Sequence, residues 1–167
     1  MSVSNDWSSF TLRINVNAPI EVLYKVWATR SGIEFWFLRE SIYVDSKGGV
    51  VNHEDFVQEG YSYTWRWHGY PDEVVEKGEI LEANGKDSFA FSFGKAGHCK
   101  IRLYTEKDEH MVELVQTHIP DDEQSRFLYH IGCKTGWTFY LANLKSLLEG
   151  GIDLRNRNVE LQEMLNA

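Results

Sequence analysis

Over residues 9–16 apolar and polar positions alternate, with Phe10, Leu12, Ile14 and Val16 on one side and Ser9, Thr11, Arg13 and Asn15 on the other. A period of two predicts a strand with one buried face. Asn17-Ala18-Pro19 reads as a turn or helix start, and Ile20, Leu23, Tyr24 and Trp27 then recur at helical spacing, which predicts a helix over residues 20–28. A second short helical segment follows around residues 33–37, where Trp36 and Phe37 are large anchors or part of a pocket rim.

From Ser41 the period returns to two. A strand is predicted over 42–45, with Ser46-Lys47-Gly48-Gly49 as its turn, and residues 50–60 are ambiguous. Residues 61–68 place Tyr61, Tyr63, Trp65 and Trp67 on one face and Ser62, Thr64, Arg66 and His68 on the other. A strand over 74–81, the Asn84-Gly85-Lys86 hairpin signal and a strand over 88–93 with Phe89, Phe91 and Phe93 in alternation come next. Turns at Lys95-Ala96-Gly97 and Lys107-Asp108-Glu109 separate two more strands, over 98–105 and 110–118.

The chain then closes on a long amphipathic helix from Asp122. At about 100° per residue His130, Trp137, Leu141, Leu144 and Leu148 share one stripe, which must be buried against something. Asp121, Asp122 and Glu123 provide its cap and first-turn charge, and Gly150-Gly151 its stop. A strand, two short helices, about six antiparallel strands and a covering helix make an α+β domain. The domain is read as residues 1–151, with 152–167 as a C-terminal tail whose Val159, Leu161, Met164 and Leu165 form a short helix, dock locally or meet a partner.

Composition narrows the partners. A net charge of −8 argues against nucleic acid or an anionic membrane surface, which need clustered Lys and Arg. The N-terminus has no signal-peptide pattern and no window is apolar enough to insert in a bilayer, so a cytoplasmic location is expected. Cys99 and Cys133 lack metal or disulfide spacing and read as buried, reduced thiols. Aromatic residues make up 14% of the chain, which calls for a bulky core or an aromatic-lined cavity.

Gly136-Trp137, Tyr140-Leu141, Asn143-Leu144-Lys145 and Leu148-Glu149-Gly150-Gly151, with Ala18-Pro19-Ile20-Glu21-Val22 before Tyr24 to Trp27, resemble the signatures of the family of homologues of the heat-shock protein 90 ATPase activator. That family lies in the START-like, polyketide-cyclase (SRPBCC) superfamily. The resemblance implies a helix-grip (START-like, Bet v-like) fold, in which a curved antiparallel sheet of about seven strands grips the final helix. It also implies a cavity between them for an apolar, aromatic or lipid-like molecule. The alternatives implied are a chaperone-interacting regulator of the stress response and a cyclase or aromatase. The eukaryotic activators carry a separate N-terminal domain, which is not expected here with a first strand near Ser9, a departure that weighs against the chaperone reading.

Trp36, Trp65, Trp67, Phe91, Phe93, His130, Trp137 and Leu141 are the cavity candidates, each with core packing as its alternative. None of His53, His68, His98, His110, His118 and His130 pairs with another His or Cys at metal-ligand spacing, so neither metal nor cofactor is expected. His130 is read as a ligand contact or as a core histidine bonded to backbone. No nucleophile elbow, phosphate loop or dinucleotide fingerprint is present, and no catalytic residue is assigned. Among strand residues able to act as acid or base, Arg66, His68, Glu79, His98 and Arg102 are better read as solvated, as are the charges of Glu76-Lys77-Gly78-Glu79. The oligomeric state is open between monomer and homodimer.

Overall fold

The computed structural model describes residues 5–165. Strand β1 (Phe10–Asn15) leads into helices α1 (Ile20–Ala28) and α2 (Arg30–Trp36), then β2 (Glu40–Val44), β3 (Ser62–Arg66), β4 (Glu76–Ala83), β5 (Ser88–Ser92), β6 (His98–Glu106) and β7 (Glu109–Thr117). The seven strands form one antiparallel sheet in the order β1-β7-β6-β5-β4-β3-β2. β1 and β2 are therefore its opposite edges, and α1 and α2 carry the chain from one to the other. The sheet is curved and the closing helix lies in its concave side, the helix-grip arrangement.

Local chemistry explains the turns. Lys107 and Asp108 both hold positive φ in the two-residue link between β6 and β7. Between β4 and β5 the Asn84 side chain accepts the backbone N–H groups of Lys86, Asp87 and Ser88, and Gly85 takes a φ of +75°. Residues 50–60, ambiguous in sequence, are a loop pinned by single bridges from Val50 to Val44 and from Phe56 to Thr29. β4 starts two residues later than the apolar pair Val74-Val75 suggests, and both valines are exposed.

The core is aromatic. Trp27, Trp36, Trp65, Tyr43, Phe89 and Phe91 are fully buried together with Leu23, Ile80, Ile101 and Leu114. Trp36 packs edge-on to Trp27 at 4.6 Å and donates its indole N–H to the Val26 carbonyl, so α2 is fixed to α1 by both packing and a hydrogen bond. Trp65 stacks on Tyr63 at 3.9 Å and meets Phe91 at 5.0 Å, which joins β3 to β5.

The segment after the closing helix is tied down. Arg155 is 7% exposed, pairs with Asp153 at 2.8 Å and donates to the carbonyls of Glu34, Phe35 and Leu38 at the C-terminal end of α2. Buried Asn143, on the closing helix, donates to the Trp36 carbonyl at 2.8 Å and accepts the Leu154 N–H at 2.7 Å. The cation meets the carbonyls that α2 leaves unpaired, which is where the helix dipole is negative. Of the tail residues named above, Val159, Leu161, Met164 and Leu165 are exposed, and no helix forms among the described residues there.

A candidate ligand cavity

The closing helix is not one uniform α-helix. Asp122 caps its start, accepting the Ser125 N–H at 3.0 Å and hydroxyl at 2.6 Å, and α3 (Glu123–Ser125) passes directly into a π-helical stretch, Arg126–Ile131. α4 (Gly132–Leu148) follows, with the Gly132 N–H reaching back five residues to the Phe127 carbonyl. The wider turn shifts the phase of the first residues relative to the Trp137 stripe. None of residues 126–131 is buried, and Phe127, Leu128 and Ile131 are exposed.

This break hollows the grip. Gly132 and Gly136 present no side chain on the face that also carries Leu128, Cys133, Trp137 and Tyr140, and across from them stand Phe37, Trp67 and Phe93. Together they line a solvent-open pocket of about 350 Å³. That is at the lower end of the range for small-molecule sites. Larger hollows of about 710 and 730 Å³ lie beside Trp7, one of them bounded by Asp6, Lys134 and Thr135, the other by Asp122 and Arg126. Neither contains the aromatic cluster, so the smaller cavity is the better candidate.

The walls are held rigidly. The Trp137 indole N–H donates to Gln116 Oε1 at 3.0 Å, and Gln116, fully buried on β7, donates in turn to the Ala96 carbonyl at 2.9 Å. The Cys99 thiol also donates to Gln116 Oε1, at 3.5 Å. Phe37 stacks on Trp137 at 4.7 Å, and the tilted ring of Phe93 stands 5.8 Å from it. Burial pushes the Cys133 thiol and the Tyr140 hydroxyl up from their ordinary pKa values. Of the lining residues, none ionises near neutral pH.

Of the eight residues singled out from sequence, Trp67, Phe93 and Trp137 come together in this cavity. Trp36, Trp65, Phe91 and Leu141 sit behind it in the buried core. Phe37, not Trp36, faces the space, because Trp36 is turned toward Val26. His130 lies elsewhere: it donates from Nδ1 to the Trp7 carbonyl at 2.9 Å and packs edge-on against Trp7 and Phe10. The helical projection that joined it to Trp137 assumed an α-turn where the chain makes a π-turn. Cys133, read as buried, is a wall residue, part-exposed to the cavity.

The other strand candidates divide differently. Arg66 pairs with Glu40 at 2.6 Å, Arg102 with Glu113 at 3.3 Å, and Glu79 and His98 are exposed. His68 is part-buried near Arg155 and Arg157, and burial followed by their charge lowers its pKa. Glu76 departs from the sequence expectation. It pairs in register with the inward Trp65, so it lies on the concave face, while Glu79 faces out. Among the described residues no cluster of three or more His, Cys, Asp or Glu could hold a metal, and no helix is long and apolar enough to cross a membrane.

A family model described as "Activator of Hsp90 ATPase homolog 1-like protein" matches residues 17–149. No curated protein matches the chain. Similar solved structures include a Staphylococcus saprophyticus protein, 20% identical, covering 88% of this chain and 96% of that one with a TM-score of 0.68. The Aha1 dimer from Colwellia psychrerythraea is 17% identical, with coverage of 86% and 97% and a TM-score of 0.64. DynU16, a protein in the dynemicin biosynthetic locus, is 15% identical over 90% of this chain and 50% of its own, with a TM-score of 0.62. At these identities the likeness is one of fold.

Proposed function

The chain belongs to the Activator of Hsp90 ATPase homolog 1-like family, and we propose that within that family it binds an apolar, aromatic small molecule between the sheet and the closing helix. The observation that carries this reading is the 350 Å³ space beside Trp137, walled by Phe37, Trp67 and Phe93 and opened by Gly132 and Gly136. Burial of the ligand's apolar area supplies the affinity, at about 25 cal/mol per Å². The rigid indole of Trp137 limits the entropy lost on binding, because the wall is already ordered.

Binding is favoured over catalysis because the lining residues offer no acid or base poised near neutrality, and the Cys133 thiol is pushed toward its unreactive protonated form. Native mass spectrometry of the purified protein, followed by extraction and mass analysis, tests the reading. A co-purified aromatic or lipid-like molecule is expected, and an empty protein that binds no aromatic probe counts against it. The same spectra distinguish monomer from homodimer.

One observation favours a second reading, contact with a 90-kDa heat-shock chaperone. Phe127 and Ile131 are exposed together on the π-helical stretch, an apolar pair that suits a protein contact. The family description points the same way. An unchanged chaperone ATPase rate on addition of this protein would sink that reading.

A further inference from the structure

Glu76 is a carboxylate on the concave face of the sheet, which it shares along β4 with Gly78 and the buried Ile80. It lies opposite Trp65 in the β3–β4 register and is half-buried at the start of β4, outside the ring of residues that line the cavity. Gly94 directly follows the wall residue Phe93, and a Cβ at Gly94 would stand 2.6 Å from Glu76 Oε1. The glycine therefore leaves room for the carboxyl group. None of the ion pairs among the described residues includes Glu76, although nearly every other half-buried carboxylate in the sheet, such as Glu113, has a basic neighbour.

A carboxylate that is partly withdrawn from water and has no cation beside it raises the free energy of the empty site. Burial accordingly pushes its pKa up from the ordinary glutamate value. A bound cation would relieve this cost, a neutral ligand would leave it, and an anion would add repulsion. The aromatic walls at Trp67 and Phe93, the latter one residue before Gly94, are a second feature that suits a cation. The chain's net charge of −8 adds a field of the same sign.

We infer that the ligand is a protonated amine carried on an aromatic body, an arylalkylamine, with the ring held among Phe37, Trp67, Phe93 and Trp137 and the ammonium group paired with Glu76. This rests on the cavity reading above and names its ligand class. The ammonium group donates to the carboxylate as a charge-assisted hydrogen bond, and the ring replaces water against apolar walls.

Titration by calorimetry with 2-phenylethylamine, 2-phenylethanol and 3-phenylpropionate tests it on the intact chain, on Glu76→Gln and on the outward-facing control Glu79→Gln. In the unaltered protein and in Glu79→Gln the amine is expected to bind about tenfold or more tighter than the alcohol, with the carboxylate weakest. In Glu76→Gln, shown to be folded by circular dichroism, amine and alcohol should bind alike. Equal affinities in the unaltered protein, or an amine preference that survives Glu76→Gln, would overturn the ligand class while leaving the cavity reading in place. Failure of all three compounds to bind overturns both.

Discussion

Gln116 shows how much of the site rests on one residue away from the cavity surface. Its carbonyl accepts from Trp137 and Cys99 and its amide reaches Ala96, all in a fully buried position. Gln116→Leu keeps the volume and strands the indole N–H and a carbonyl, so a loss of about 1–3 kcal/mol is expected in urea unfolding, with weakened aromatic binding because Trp137 is no longer held. Glu76 should behave oppositely. Its folded pKa is raised, so its protonated form favours folding below the ordinary glutamate value, and that contribution is lost as pH rises through the folded value. Glu76→Gln should therefore leave stability unchanged near pH 4 and raise it near pH 7. The carboxyl remains half in water, which limits the gain to under about 1 kcal/mol, or about 2–4 °C in thermal melts. Period-two reading revealed which side of β3 and β5 faces inward, hence Trp67 and Phe93. It did not reveal depth, so Trp65 and Phe91 looked identical to them. Glu76 was missed because a charge beside Lys77 and Glu79 reads as solvated, although its alternation with the buried Ile80 and its register with Trp65 turn it in.

Elements were more legible than the breaks inside them. α1 matches residues 20–28, and the stop after α4 is the positive-φ Gly150 with the Gly151 N–H returning to the Ser146 carbonyl at 2.7 Å. The π-helical stretch carries no sequence signal of comparable strength, and that break is what displaced His130 from the cavity face. The Asn143, Asp153 and Arg155 latch was also invisible, since it joins positions more than a hundred residues apart to the end of α2. Arg155→Ala leaves three carbonyls without their cation and Asp153 with Arg157 alone, and a loss of about 3 kcal/mol is expected by chemical denaturation. Burial acts to raise the Asp153 pKa, but hydrogen bonds from Arg155 and Arg157 hold it well below the usual carboxylate range. Its contribution is thus present above the ordinary aspartate value and lost as pH falls toward the depressed one. The Arg155→Ala protein should show less of this acid sensitivity, so stability measured between pH 5 and pH 2 should fall less steeply than in the parent chain.

At the scale of the whole molecule, helix grip and cavity are separable, and Gly132 is where they separate. The strand and helix order needed for the grip was readable from periodicity alone. The hollow depends on what is absent from α4, namely side chains at Gly132 and Gly136. The nearest atom to a Cβ at Gly132 is the Phe127 carbonyl oxygen at 3.6 Å, an ordinary contact, and the residue sits in helical geometry. Gly132→Leu therefore adds a side chain into open space without backbone strain. It also replaces a poor helix former, worth up to about 1 kcal/mol. If the space beside Trp137 exists to take a ligand, this substitution should leave the melting temperature unchanged or higher while reducing affinity for aromatic probes at least about tenfold. Natural proteins accept such unfilled space against their own stability chiefly where function uses it. A Gly132→Leu protein that is more stable and binds as well as the parent would mean that the hollow is only loose packing.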